Sequence, residues 1–284
     1  MQSLRLAFSP DSDDIFMFWP LLHGKIDPCG LAFTHERADT ETLNERAARG
    51  DVDVLAVSIA RYATISDSYL LLPHGASVGR GYGPVVVTAR ATTLESLAGR
   101  RIGIPGFHTT AYLTLRLLLH DFEPRVIPIS PFSRSFEAVR SGEVDAALLI
   151  HEGRLTYERE GFHKVIDVGE GWARLTGGLP LPLGGNVIRR GLGAPTISLV
   201  SRLCRESIAW ALDHREEVMT ALLGQETRAD VGLDRAMLDR YLAMYANDDT
   251  RDFAPDARAA VVELFRRAAD AGLIQPGARA EFAD

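Results

Sequence analysis

Lysine is almost missing from this chain. Lys25 and Lys164 are its only lysines in 284 residues, so arginine carries nearly all of the positive charge. Arginine suits planar, bidentate recognition of carboxylates, although so uniform a bias also reads as genome composition. The formal charge of −7 excludes the electrostatic footprint of a nucleic-acid binder or of a protein docked on an anionic membrane. Cysteine is as scarce: Cys29 and Cys204 lie far apart, and neither has the Cys or His neighbour that a metal pair needs. That argues against a disulfide framework and against a zinc site, and points to a reduced, cytoplasmic protein. Met1-Gln2-Ser3-Leu4-Arg5 runs straight into an apolar strand, without a basic leader, a long apolar stretch or a small-residue cleavage site, so export is not expected. The phosphate loop GxxxxGK[ST], the metalloprotease HExxH and the hydrolase GxSxG are also absent. Gly79-Arg80-Gly81-Tyr82-Gly83 is too irregular for a dinucleotide fingerprint. What remains is chemistry that uses few protein groups.

The composition, 46% hydrophobic and 24% charged, is that of a globular protein large enough for two domains. Leu4 to Phe8 reads as a strand, Ser9-Pro10-Asp11-Ser12-Asp13-Asp14 as a turn rich in capping residues, and Ile15 to Leu22 as an apolar helix. Leu31 to Thr34 is a second strand, Thr40 to Arg49 a polar helix stopped by Gly50, and Asp51 to Ser58 a buried strand. A related plan follows. Arg101 to Pro105 is a strand, Gly106 to Thr110 a loop with capping hydroxyls, and Ala111 to Leu119 an apolar helix. Further on, a helix around Ala138 to Arg140 ends at Gly142, and Glu143-Val144-Asp145 opens a buried strand that stops at His151. Two lobes of similar plan are the simplest reading, an α/β protein holding one small organic molecule in the cleft between them. Gly79 to Gly83 and Gly177 to Asn186 read as the two crossings, giving lobe one as 1–88 plus 187–284 and an inserted lobe two as 89–186. From about Ser198 the pattern is helical, with Leu238, Tyr241, Leu242 and Tyr245 as a packing stripe and a last helix opening at Pro255 and stopping near Gly272.

In this plan the cleft is lined by strand ends and the helix starts that follow them, where open α/β sheets bind ligands. Those positions are Ser9 to Asp14, Ser58-Ile59, His108-Thr109-Thr110 and His151. Thr109 and Thr110 at a helix N-terminus offer hydroxyls and backbone N–H groups to a carboxylate, and they equally read as a plain cap. The acids at 11 to 14 cap a helix, face a ligand, or do both. His151 at the cleft mouth is a candidate general base; a hydrogen-bonded structural histidine is the alternative. Among the other histidines only His108, just before the threonines, competes.

Taken in order, Ser9-Pro10 with Asp13-Asp14, Gly50 to Ser58, Thr109-Thr110-Ala111-Tyr112-Leu113, Ile150-His151-Glu152-Gly153-Arg154 and Leu179 to Asn186 resemble the 1,4-dihydroxy-6-naphthoate synthase family of the futalosine route to menaquinone. The resemblance covers at least the first two thirds of the chain. It implies a type-II periplasmic-binding-protein-like fold used as an enzyme inside the cell. The implied reaction is a lyase fragmentation of cyclic dehypoxanthine futalosine to 1,4-dihydroxy-6-naphthoate and dihydroxyacetone, without metal or organic cofactor. By matching motif, His151 is the proton-abstracting base, Ser58 and Ile59 line the site, and Thr109 with Thr110 hold an anionic group; Ser9 and Asp14 complete the expected substrate contacts. Asp11-Ser12-Asp13-Asp14 stands where some members have Cys-Pro-Asn-Asp, so no ligand contact is carried over to Asp11 or Ser12. The rivals are chorismate dehydratase, a sister family of the same pathway and fold, and a cytosolic, noncatalytic binder of a small carboxylate. The His151 segment and Leu181-Pro182-Leu183-Gly184-Gly185-Asn186 favour the synthase.

Overall fold

The computed structural model describes residues 2–225 and 232–284. Residue 1 and residues 226–231, which the expected lobe one includes, lie outside the described residues. The first lobe opens with β1 (Gln2–Phe8), α1 (Ser12–Leu22), β2 (Leu31–Arg37), α2 (Thr40–Arg49), β3 (Val54–Ser58), the short α3 (Ile59–Tyr62), β4 (Tyr69–Leu71) and β5 (Ser77–Gly79). The second holds β6 (Val85–Thr88), β7 (Arg101–Ile104), α4 (Thr110–Leu118), β8 (Glu123–Val126), α5 (Ser133–Arg140), β9 (Ala146–Leu149), β10 (His163–Asp167) and α6 (Val168–Thr176). The chain then returns through β11 (Leu181–Arg189) to α7 (Ala194–Asp213), α8 (Arg215–Leu223), α9 (Arg235–Tyr245), α10 (Asp248–Arg251) and α11 (Pro255–Asp270).

The similar plan of the lobes is visible in their strand orders. One sheet runs β2-β1-β3-β11-β4, with β5 also on β11; the other runs β10-β6-β9-β7-β8. In each, two parallel neighbours flank the opening strand, and the next strand, β11 or β6, runs antiparallel to them. Pro124 is tolerated inside β8 because β8 is an edge strand. α2 has the boundaries expected from its punctuation: the Asp39 carboxylate accepts from the Thr42 N–H at 3.1 Å, and Gly50 closes it with φ 69°.

Sheet membership moves both expected lobe boundaries. Val85–Thr88, placed at the end of lobe one, pairs with β9 and β10 in the second sheet. Leu181 to Asn186, expected as part of a glycine-rich crossing, is strand. Its residues pair with β5 from Leu181, and Gly184 to Ile188 pair antiparallel with β3. The cause is local. Gly184 and Gly185 follow a register shift beside Pro182, and both are paired in regular antiparallel register with Ser58 and Val57 of β3. These glycines sit within the strand ladder and are not the loop that their composition suggests.

A continuous apolar cluster joins the lobes at their back, including Tyr62, Leu71 and Val187 on one side and Ile102, Leu148 and Trp172 on the other. α1 is buried almost throughout because α7, α8 and α9 wrap it, which explains an apolar pattern with no polar face. Among the described residues no helix is long and apolar enough to cross a membrane.

The crossing between β5 and β6 is held by backbone contact. A Cβ on Gly79 would stand 1.9 Å from the Tyr82 carbonyl oxygen, and one on Gly169, in α6, 2.1 Å from the same atom. At an unobstructed helix position, glycine to alanine would stabilise by about 1 kcal/mol. Here the overlap with backbone outweighs that gain, and Gly169→Ala is expected to destabilise the protein by about 1–3 kcal/mol, read as a lower urea midpoint. An unchanged or higher midpoint would contradict this packing.

Candidate active site

Between the lobes lies a cavity of about 750 Å³, counting its open mouth, within the range of small-ligand sites. Leu43, Ala56, Val57, Ala111, Ile150 and Leu183 give it apolar walls, while Ser9, Asp13, Asp14, Thr40, Ser58, Ser77, His151, Tyr241 and Tyr245 supply polar groups. Of the residues expected at the site, Ser9, Asp14, Ser58, Thr109, Thr110 and His151 are brought together on this wall. Ile59 is not on it: its side chain is fully buried in the core behind Gly185. His108 is also off the wall, where its backbone N–H and ring Nδ1 meet Glu41 of α2 at 3.1 and 2.7 Å, tying the loop of lobe two to lobe one.

His151 follows β9 and has φ 50°, a left-handed conformation uncommon outside glycine. Such backbone costs on the order of 1 kcal/mol and persists where surrounding contacts enforce it. Those contacts come from the other lobe and the helical tail. The ring Nε2 lies 3.0 Å from Thr40 Oγ1 and 3.3 Å from Asp11 Oδ2, and Nδ1 lies 3.3 Å from the Tyr241 hydroxyl. Tyr241 donates its own proton to Asp13 Oδ1 at 3.0 Å, so its oxygen is left to accept from His151. The Tyr241 contact puts the imidazole proton on Nδ1 and the lone pair on Nε2, toward the Thr40 hydroxyl, while the Asp11 carboxylate at 3.3 Å pulls the other way, toward a proton on Nε2. The other oxygen of Asp13 accepts from Ser77 at 2.8 Å. Burial, with Asp13 beside it, pushes the Tyr241 phenol well above its usual range, so it stays a donor.

Tyr241 and Tyr245 belong to the helical stripe expected as packing. They do pack, but they also line the cavity, because α9 packs on α1, β5 and the turn that opens at His151. Two phenols four residues apart on an otherwise apolar face are the signal for this, since a buried hydroxyl requires a partner. Asp11 and Ser12 act as supports. Asp11 stands beside the His151 ring, and Ser12 donates its hydroxyl to Glu152 at 2.6 Å and its backbone N–H at 3.1 Å. Burial pushes the Glu152 carboxyl up, against which the neighbouring His151 and the Ser12 hydrogen bond act.

The threonine pair is built differently from the expectation. Thr109 Oγ1 donates to the Gly106 carbonyl and accepts from the Tyr112 N–H. Thr110 Oγ1 donates to the Leu183 carbonyl at 2.6 Å and accepts from the Ala60 N–H at 3.1 Å, bracing α4 of lobe two on lobe one. The hydroxyls are occupied, so what α4 offers a ligand is the pair of first-turn N–H groups at Thr110 and Ala111, which have no acceptor within the helix. Ser58 is held by Asn44, a wholly buried residue that accepts from the Ser58 N–H at 2.9 Å and donates to its hydroxyl at 3.1 Å. That fixes the Ser58 oxygen and leaves its own proton to donate.

Asp14 caps no helix with its side chain. Its Oδ2 accepts from the Ser9 N–H at 2.7 Å, and burial followed by the charge of Asp13 raises its pKa to about 7. Relative to an unfolded aspartate, the native protein therefore retains a proton between about pH 4 and pH 7, and stability falls as pH rises through that window. Asp14→Asn is expected to be more stable than the parent at about pH 8 by on the order of a few kcal/mol, with the gain fading toward about pH 4, by thermal unfolding. A gain equal at both pH values would contradict a carboxyl strained by burial.

Residues 4–270 match a family described as Menaquinone biosynthesis. A 1,4-dihydroxy-6-naphthoate synthase of Streptomyces coelicolor is 39% identical over 275 residues, covering 96% of this chain and 95% of its own. The protein of the same name from Thermus thermophilus is 38% identical over 283 residues, 99% of this chain and all of its own. A solved structure from Archaeoglobus fulgidus superposes with a TM-score of 0.89 at 42% identity, over 96% of this chain and 98% of that one. The alkanesulfonate-binding protein SsuA of Xanthomonas axonopodis, at 17% identity and a TM-score of 0.73 over 96% of this chain and 94% of its own, shares the two-lobed periplasmic-binding-protein fold. By its sequence over nearly its whole length, this chain belongs to the menaquinone-biosynthesis family that includes the two synthases.

Proposed function

We propose that this protein is a 1,4-dihydroxy-6-naphthoate synthase, a carbon–carbon lyase that fragments cyclic dehypoxanthine futalosine to 1,4-dihydroxy-6-naphthoate and dihydroxyacetone. The observation that carries the reading is a histidine on the wall of a largely apolar cleft between the lobes, with its Nδ1 on the Tyr241–Asp13 relay, in a chain close to full-length synthases. The relatives favour the synthase over a chorismate dehydratase or a noncatalytic binder.

In this mechanism the carboxylate of the substrate lies against the Ser58 hydroxyl and the N–H groups that open α4, where the helix dipole favours negative charge. The apolar walls take the ring. His151 Nε2 abstracts a proton, and the imidazolium that forms is stabilised from both sides, by the Asp11 carboxylate at Nε2 and by Tyr241 backed by Asp13 at Nδ1. The carbon–carbon bond to the three-carbon fragment breaks, and aromatisation of the second ring drives the reaction. Water excluded by lobe closure strengthens each of these charge interactions. A cytoplasmic location belongs to the same reading and is supported by two free cysteines, Cys29 and Cys204.

Incubating the protein with cyclic dehypoxanthine futalosine is expected to yield the naphthoate by mass spectrometry, and His151→Ala is expected to lose turnover while retaining product binding. Tyr241→Phe removes the relay without removing the ring, and kcat should fall about 10- to 100-fold with KM little changed. Undiminished turnover by His151→Ala would remove the base from this account; an unaffected Tyr241→Phe would remove the relay.

A further inference from the structure

Fragmentation without added water removes one proton from the substrate and must return one to the products. His151 serves the first transfer, and the second takes place at a different atom, the carbon released by the broken bond. Four carboxylates surround the histidine: Asp11, Asp13, Asp14 and Glu152. Asp11 and Glu152 stand behind the cavity wall, whereas Asp13 and Asp14 are on it. Asp13 spends its oxygens on the hydroxyls of Tyr241 and Ser77, which hold it as an acceptor. Asp14 is anchored by one oxygen on the Ser9 N–H and approaches the cavity from lobe one, while His151 is carried by lobe two.

From this arrangement we infer that Asp14 is the acid of the reaction, the group that protonates the departing three-carbon fragment. The inference rests on the synthase reading and adds to it a second catalytic residue. His151 Nε2 takes the proton of a substrate hydroxyl, and the O–H pair becomes a carbonyl. The carbon–carbon bond breaks with its electron pair leaving on the fragment as an enediolate. Asp14 delivers its proton to that carbon, forming a C–H bond and dihydroxyacetone. The imidazolium and the Asp14 carboxylate then exchange one proton with solvent in opposite directions, which restores both groups. Burial and the neighbouring Asp13 raise the pKa of Asp14 to about 7, so that a large share of it carries the proton at neutral pH, as an acid must before the step. The divergent environments of Asp13 and Asp14, adjacent in sequence, assign one as a fixed acceptor and the other as a donor.

The test compares parent, Asp14→Asn and Asp14→Ala with the cyclic substrate, together with binding of 1,4-dihydroxy-6-naphthoate. The expected result is a loss in kcat of about 100-fold or more for Asp14→Asn, with product affinity within about threefold of the parent, and partial recovery of Asp14→Ala by added formate at acidic pH. Asp14→Asn turning over within about threefold of an active parent overturns the inference and leaves the synthase reading intact. If Asp14→Asn fails to bind product, Asp14→Ala decides: recovery with formate supports the role, and none overturns it. A folded parent that yields no naphthoate overturns both the inference and the reading it rests on.

Discussion

The structure turns on one partly buried ring. His151 belongs to lobe two, yet each of its nitrogens is engaged by groups from lobe one or from the helical tail. Its left-handed backbone is tolerable only because these contacts hold it. They in turn require α9 to lie against α1 and the turn at His151, which the burial of α1 under α7, α8 and α9 secures. A helical tail that reads as scaffold therefore supplies the phenol that sets the tautomer of the base.

Electrostatics divides labour among side chains that are chemically alike. Asp13 and Asp14 are neighbours on the first turn of α1, but two hydroxyl donors hold one and burial beside a like charge raises the other. Thr109 and Thr110 are similarly split from their expected role: their hydroxyls cap α4 and brace the lobes, while backbone amides remain for the ligand. In both cases the residue type is compatible with several roles, and the hydrogen-bond inventory selects one.

Much of the fold is legible in local pattern. α2 carries its own start and stop in Asp39 and Gly50, and the buried strands β3 and β9 follow glycine and acidic punctuation in each lobe. His151 could be placed at the cleft because it ends such a strand. β11 was concealed by Gly and Pro, which mark turns in most contexts but here lie in the ladders with β3 and β5. Ile59 shows the limit of motif position: it follows Ser58 at the strand end, yet its side chain turns into the core. The Asp13–Tyr241 bond joins residues 228 positions apart, a relation that no local period encodes.

The most direct test of the account is the protonation state of that one ring, read by nitrogen NMR of histidine-labelled protein above the imidazole pKa. The relay predicts a neutral His151 with its proton on Nδ1 and the lone pair on Nε2, a preference lost in Tyr241→Phe. A proton found on Nε2 in the parent protein, directed at Asp11, would leave no lone pair to abstract a substrate proton and would contradict the arrangement proposed for catalysis.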